Sequence, residues 1–163
     1  MTTHIGPFNG LYYFSDLSLR VVAPMSAMPF VEYADYTADD TFLRERAYPL
    51  VAEVVDFFES YVTPNAATGQ LDILDSCAQE ICGGGPNGES NPHHDIAYLR
   101  AMLQALLRWS ARLGVDADRR AAWQRLLDGL APLPTGAHAG ETVWIEANGT
   151  EANFLSNAAA YSM

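Results

Sequence analysis

Residues His94 to Gly136 read HDIAYLRAMLQALLRWSARLGVDADRRAAWQRLLDGLAPLPTG. Apolar residues recur at three- and four-residue steps, the period of an α-helix with one buried face. Extended back to Pro92, the pattern predicts a helix to Leu113 with Ile96, Leu99, Leu103, Leu106, Leu107 and Ser110 on one side. Arg100, Arg108 and Arg112 fall largely off that stripe, and Gly114 suits the left-handed turn that closes a helix. Asp116 or Asp118 is expected to cap a further helix bearing Ala122, Trp123, Leu126, Leu127 and Leu130, which Pro132 and Pro134 end. So short a link makes the two an antiparallel αα-hairpin.

An earlier stretch, Asp39 to Val62, reads DDTFLRERAYPLVAEVVDFFESYV. Leu43, Ala47, Leu50, Val51, Val54, Val55, Phe58, Tyr61 and Val62 form one face of a helix from about Asp40 to Val62, with Asp39 or Asp40 as N-cap. Thr63-Pro64-Asn65 stops it. Pro49 has no N–H, so it should kink this helix or push its start past Tyr48. Asp16 to Tyr36 is apolar and helical in part, with Pro24 and Pro29 as interruptions. Leu71–Leu74 and Thr142–Ala147 read as short strands, the second with alternating Val143, Ile145 and Ala147. The final FLSNAAAYSM looks like a helix just beginning, which suggests a fragmentary chain.

Length and composition set the limits. The 163 residues, nearly half apolar, suffice for one packed domain spanning residues 1–163. The formal charge is −11, and all nine basic residues are arginine. Such a chain repels phosphate backbones, so nucleic acid is a poor partner, whereas a neutral carbohydrate is compatible with the field. No apolar run approaches the roughly 20 residues of a membrane span. The start, MTTHIGPFNG, lacks the regions of a secretory leader. The cellular address stays open, leaning to the cytoplasm or to a chain without its natural N-terminus. Asn148-Gly149-Thr150 forms a sequon of a kind that chance often produces.

Between the helical segments lies DSCAQEICGGGPNGESNPHHD, Asp75 to Asp95. Its residue types suit four chemistries. Structural zinc needs two closely spaced ligand pairs, and the adjacent His93-His94 is poorly shaped to supply the second beside Cys77 and Cys82. Two half-buried thiols, or a local disulfide in an exported protein, fit better. The glycines of GGGPNGES lack the Gly-Lys-Ser/Thr of a phosphate loop and read as a wide turn. Ser76, Cys77, His93, His94 and Asp95 contain the residue types of a nucleophilic triad, but nearness in sequence does not build one. No metal and no cofactor is therefore expected.

The fourth chemistry is a carboxyl acting as general acid. Glu80 sits among Cys77, Ala78, Ile81 and Cys82, where desolvation would raise its pKa. Glycoside hydrolysis uses two carboxyl groups across a cleft. Glu89, Asp75 and Asp95 are the other local candidates, with Glu146 and Glu151 around a second loop. The bland reading of each is a solvated loop acid. Trp109 and Trp123 lie at helical spacing and belong to a core, while Trp144, on the strand before Glu146, is better placed to stack on a sugar face. Tyr12, Tyr13 and Phe14 would line a cleft or simply pack.

The hairpins carry a resemblance. The Asp39–Val62 helix follows Tyr36-Thr37-Ala38-Asp39 and resembles the one after a tyrosine-threonine-small-acidic turn in six-hairpin glycosidases. The His94–Gly136 stretch resembles the next hairpin of that toroid. The family most similar is glycoside hydrolase family 95, the α-L-fucosidase-like enzymes, over roughly Val31 to Gly136. The resemblance implies an all-α fold of antiparallel αα-hairpins forming part of an (α/α)6 toroid, with one or two short strands in loops. It also implies that the loop between the hairpins carries a glutamate general acid, here Glu80 within SCAQEIC. That loop is usually rich in Ser, Pro, Glu and Asn, from which this one departs. Members are inverting enzymes whose water is activated by asparagines with help from an aspartate, and neither has a match in this chain.

A full toroid needs twelve helices, and four or five are visible, so the chain is expected to be a piece of a larger catalytic domain or a reduced relative. The expected function is acid-assisted hydrolysis of an oligosaccharide or polysaccharide, with Glu80 protonating the departing oxygen. Asp75, His93, His94, Trp144 and Glu146 are candidates for substrate contact, and the remaining hairpins of a longer chain are the expected partners. The rivals are a non-catalytic helical module that binds a protein through an apolar face, and an inactive fragment.

Overall fold

A computed structural model describes residues 20–78 and 89–148, and the backbone of 2–5 and 11–14. Glu80, Cys82, the glycine run, Asp16, Gly149 and Thr150 of the sequon, Glu151 and FLSNAAAYSM lie outside the described residues, as do the side chains of Tyr12, Tyr13 and Phe14.

Helix α1 (Val22–Thr37) runs through both expected interruptions. Pro24 falls in the first turn, where a backbone N–H has no helical partner to lose. Pro29 deprives the Met25 carbonyl of its bond, but both residues are exposed, so water satisfies that oxygen. The helix closes at Ala38, in a left-handed conformation with φ 53°. Asp39 then caps the next one, its Oδ1 accepting from the N–H groups of Thr41 (2.9 Å) and Phe42 (3.0 Å).

That next helix is continuous but changes pitch. It passes from α2 (Asp40–Phe42) through a π-helical stretch, Leu43–Ala47, into α3 (Tyr48–Tyr61). Pro49 explains the change. In a regular α-helix its ring would meet the Glu45 carbonyl and offer it no hydrogen. The chain instead widens, and the Tyr48 N–H bonds to the Leu43 carbonyl five residues back. The proline neither breaks the helix nor delays its start.

Helices α4 (His93–Leu113) and α5 (Arg120–Gly129) form the hairpin read from the sequence. Gly114 closes α4 at φ 69°, its N–H on the Ser110 carbonyl. The Ser110 hydroxyl donates to the Val115 carbonyl (2.7 Å) and accepts from Arg120 Nε (2.6 Å), which fixes the corner. Neither aspartate caps α5: it starts later, after Arg119, with no side-chain cap. Asp116 Oδ2 instead accepts the Tyr48 hydroxyl at 2.6 Å, a long-range bond that no local pattern announces.

Relative directions follow from these contacts. Arg20, just before α1, reaches Ser76 beside the start of α4, and near the far end of α1 Asp35 Oδ1 accepts Trp109 Nε1 at 2.9 Å. So α1 and α4 run parallel. The start of α3 meets the end of α4 through Tyr48 and Asp116, so α3 runs against α4, as does α5. One core joins all four: Ala27, Val31 and Ala34 of α1; Val51, Val55 and Phe58 of α3; Leu99, Leu103, Leu106 and Trp109 of α4; Trp123 and Leu126 of α5. Each large side chain buried there contributes about 1.5–3 kcal/mol relative to exposure. Trp109 and Trp123 are core residues.

Short strands pair in three two-stranded antiparallel ladders: β1 (Thr2–Ile5) with β2 (Leu11–Phe14), β3 (Thr63–Pro64) with β4 (Leu71–Asp72), and β5 (Thr135–His138) with β6 (Glu141–Trp144). The strands read at Leu71 and Thr142 are therefore present but shorter. Beyond β4 the Ile73 N–H goes to the Asn91 side chain (2.8 Å), and beyond β6 the Ile145 N–H goes to the Pro134 carbonyl (3.1 Å). β5 was not expected, because Pro132 and Pro134 precede it and Gly136 lies within it; a Cβ on Gly136 would sit 2.8 Å from Ile145 Cγ2. Among the described residues the fold is all-α, with short strand pairs before α1, between α3 and α4, and after α5.

Candidate active site

At the N-terminal end of α4 four stretches of chain converge. Ser76 and Glu89 exchange backbone hydrogen bonds (3.3 and 2.6 Å), and the Ala78 N–H donates to Glu89 Oε2 at 2.6 Å. The two residues that bracket segment 79–88 are thus fastened together. Asn91, buried, gives its N–H to the Ile73 carbonyl and its amide to Asp72 Oδ1 (3.0 Å). Tyr61, the last residue of α3, donates its hydroxyl to the Leu74 carbonyl at 2.5 Å. The second loop joins through the His93 N–H on the Glu146 carbonyl (2.7 Å) and the Asn148 N–H on the Ser90 carbonyl (2.9 Å).

The first turn of α4 brings the titratable groups. Asp95 is fully buried, and its Oδ2 accepts the Ser76 hydroxyl at 2.5 Å. Burial pushes the Asp95 carboxyl up to about 7, against the opposing pull of the Ser76 hydrogen bond and the Arg20 charge. Burial brings His94 down to about 4; a hydrogen bond to the Cys77 backbone opposes this and the neighbouring His93 adds to it. His94 is therefore neutral at pH 7, and its 3.9 Å approach to Asp95 Oδ1 is not an ion pair. Both His94 Nε2 and Asp95 Oδ1 are buried without a hydrogen-bond partner among the described residues.

The sequence-predicted residues divide into two groups. His93, His94 and Glu146 are buried, and the structure brings them together with the Trp144 ring, half exposed and 5.1 Å from the His93 ring. Asp75 is exposed, in a left-handed conformation with φ 52°. Glu80 lies outside the described residues. Cys77 is buried and disulfide-bonded, which decides between the two alternatives the sequence leaves open, free thiols and a disulfide, for the disulfide; the only other cysteine in the sequence is Cys82. Ser76, Asp95 and a histidine do meet, but not as a nucleophilic relay. The Ser76 hydroxyl donates directly to Asp95 with no imidazole between them, and it is buried. Among the described residues no group of three or more His, Cys, Asp or Glu could hold a metal ion.

Sequence reasoning passed over the pairing of Ser76 with Asp95 and of Ala78 with Glu89. The sequence offers Asp95 as a triad residue type and as one of several loop acids, not as the partner of Ser76 alone. The available signal was its place in the first turn of a helix whose neighbouring positions are apolar, which predicts a buried carboxyl facing an N–H-rich helix end.

The family model described as Glycosyl hydrolase family 95 catalytic domain matches residues 20–153, a wider span than the hairpins alone suggest. No curated protein matches the chain.

Proposed function

Because the chain belongs to glycosyl hydrolase family 95, as part of its catalytic domain, we propose that it serves acid-assisted hydrolysis of a glycosidic bond in an oligosaccharide or polysaccharide, with Glu80 as the acid. The observation that carries this reading is the fastening of the segment that contains Glu80. Ala78 and Glu89 are hydrogen-bonded to each other, and Ser76 is tied to Asp95 on the first turn of α4. Glu80 follows Ala78 by two residues, so chain length alone limits its Cα to roughly 7 Å from that of Ala78. A general acid must reach the departing oxygen within hydrogen-bond distance, and a tethered segment can meet that demand.

In the proposed reaction the Glu80 carboxyl gives its proton to the glycosidic oxygen as the bond to the anomeric carbon breaks. The aglycone leaves as an alcohol, and water adds to the oxocarbenium-like carbon. Trp144 offers an exposed ring for the face of a sugar, and Asp75 an exposed carboxylate for its hydroxyls. His93, His94 and Glu146 are buried, so their proposed share is to hold Trp144 and the loop rather than to touch substrate directly.

The substrate class proposed is fucoside-like, and the architecture proposed around the site is the (α/α)6 toroid. In that proposal the parallel pair α1 and α4 would belong to one ring of the barrel, and α3 and α5, running the other way, to the other. Between α1 and α4 an open groove of about 910 Å³ is lined by Met28, Tyr33, Tyr36, Gln104 and Arg108, and further helical hairpins of a longer chain are its proposed occupants. The test of the function is Glu80→Gln in the full-length protein, assayed on a panel of fucosides and galactosides. Loss of hydrolysis is expected, and activity left intact would sink the reading.

A further inference from the structure

We propose that Asn148 is an N-glycosylation site, its side-chain amide taking an oligosaccharide from a lipid-diphosphate donor. The sequence supplies the acceptor triplet once, as Asn148-Gly149-Thr150, with a residue other than proline in the middle. Chance alone produces such triplets, so two structural observations carry the inference: where Asn148 lies in the fold, and the bonding of Cys77.

An N-linked glycan is bulky and is added to the growing chain, so the folded protein must leave it room at the surface. The stretch after β6 meets that requirement at one residue. Ile145, Glu146 and Ala147 are buried, at 7%, 4% and 0% exposure, and Asn148 is the first residue after them to be exposed. The other two asparagines among the described residues, Asn65 and Asn91, give their amide nitrogens to the Asp72 carboxylate at 2.7 and 3.0 Å. Neither heads an acceptor triplet: they begin Asn65-Ala66-Ala67 and Asn91-Pro92-His93. Among the described asparagines, acceptor sequence and surface position thus coincide at Asn148 alone. Its backbone is fixed all the same, because the Asn148 N–H donates to the Ser90 carbonyl at 2.9 Å. The glycan is therefore rooted beside the N-terminal end of α4, four residues beyond Trp144.

Cys77 supplies the second observation. It is buried and disulfide-bonded. Structural disulfides form and persist in oxidising compartments such as the lumen of the endoplasmic reticulum, whereas cytosolic thiols are kept reduced. The lipid-linked donor and its transferase act in that same lumen, so one route through the cell accounts for both the disulfide and a modified Asn148. The transfer itself needs no oxidant. The Asn148 Nδ2 attacks the anomeric carbon of the donor, and the N–C bond forms as the C–O bond to the diphosphate breaks. The lipid diphosphate leaves with that electron pair, and the amide nitrogen gives up one of its two protons. The Thr150 hydroxyl, two residues on, is the group the transferase reads.

The test uses the full-length protein purified from the cells that make it. The peptide containing Asn148 is weighed by mass spectrometry before and after an amidase that removes N-linked glycans, with the digestion run in heavy-oxygen water. Hexose and N-acetylhexosamine masses are expected on the untreated peptide, and the treated one should show Asn148 converted to aspartate carrying heavy oxygen. Thr150→Ala and Asn148→Gln, made in the same cells, should each lose the glycan and run faster on a denaturing gel, while Thr150→Ser should keep it. The reading on the wild-type peptide holds whether or not a variant folds. An unmodified Asn148 peptide in the wild-type protein overturns the proposal, and so does a modification that Thr150→Ala leaves in place. Neither result depends on the role of Glu80.

Discussion

Ser76 and Asp95, 19 residues apart in the sequence, share a hydrogen bond of 2.5 Å in which the serine hydroxyl donates to a fully buried carboxyl. That contact closes the connection between α3 and α4 onto the first turn of α4. It makes the described ends of the loop that the sequence marks as chemically rich, Ser76–Ala78 and Glu89–Asn91, part of the folded core.

Asp95 should make stability fall as pH rises. Its folded-state pKa, about 7, lies above the ordinary 3.8, so the fold favours the protonated form. The associated stability is fully present below about pH 4 and is lost as pH climbs through 7. Asp95→Asn stays neutral and keeps an acceptor for Ser76. Its melting temperature relative to wild type should therefore increase from pH 4 to pH 8, by an amount corresponding to at most about 4 kcal/mol. Parallel melting curves across that range would contradict the buried, perturbed carboxyl.

His94 acts with the opposite sign. Its folded-state pKa of about 4 lies below the ordinary 6.5, so the unfolded chain binds the proton more readily. The stability tied to neutral His94 is present above about pH 6.5 and lost as pH falls toward 4. Urea unfolding at pH 7 and pH 4.5 should show a smaller acid loss in His94→Gln than in wild type, by up to about 3 kcal/mol. Because the two residues oppose each other between pH 4 and 6.5, the wild-type curve alone hides both.

Gly114→Ala should destabilise the hairpin by about 1–2 kcal/mol. The residue sits at φ 69°, and nothing lies within 4 Å of an added Cβ, so the penalty is one of backbone conformation alone. Denaturant titration of the single variant measures it. A neutral result would mean that α4 closes differently.

Phe58→Ala should cost about 3–5 kcal/mol, since Phe58 is fully buried between α3 and its neighbours and its removal opens a cavity. Circular dichroism should show one cooperative melt for the wild-type chain and a lower one for the variant. A chain with no cooperative transition would support the inactive-fragment reading instead.

Where local pattern governs, the sequence was readable. The apolar stripe of α4, its Gly114 stop and the Asp39 cap follow from spacing and capping rules, and they appear where expected. Three features were not readable, each for a physical reason. Pro49 suggests a kink or a later helix start, but a π-helical stretch absorbs it because the widened turn needs no hydrogen from proline. Asp116 looked like a cap, but the Tyr48 hydroxyl, 68 residues away, claims its carboxylate. Ser76 reads as one of several triad residue types, yet its partner lies in the first turn of α4, and no periodicity encodes a contact between a loop and a helix end. The candidate site was thus legible as a region and as a family resemblance, but not as a set of contacts.

The most direct test of Glu80 as general acid is its dependence on the leaving group. Wild type and Glu80→Gln would each be assayed on a fucosyl fluoride, whose leaving group needs no proton, and on a fucosyl disaccharide, whose leaving alkoxide does. The predicted result is a fall of about 10²- to 10⁴-fold in kcat/KM on the disaccharide with a far smaller change on the fluoride. An equal loss on both substrates, or an undiminished rate on the disaccharide, would contradict the assignment.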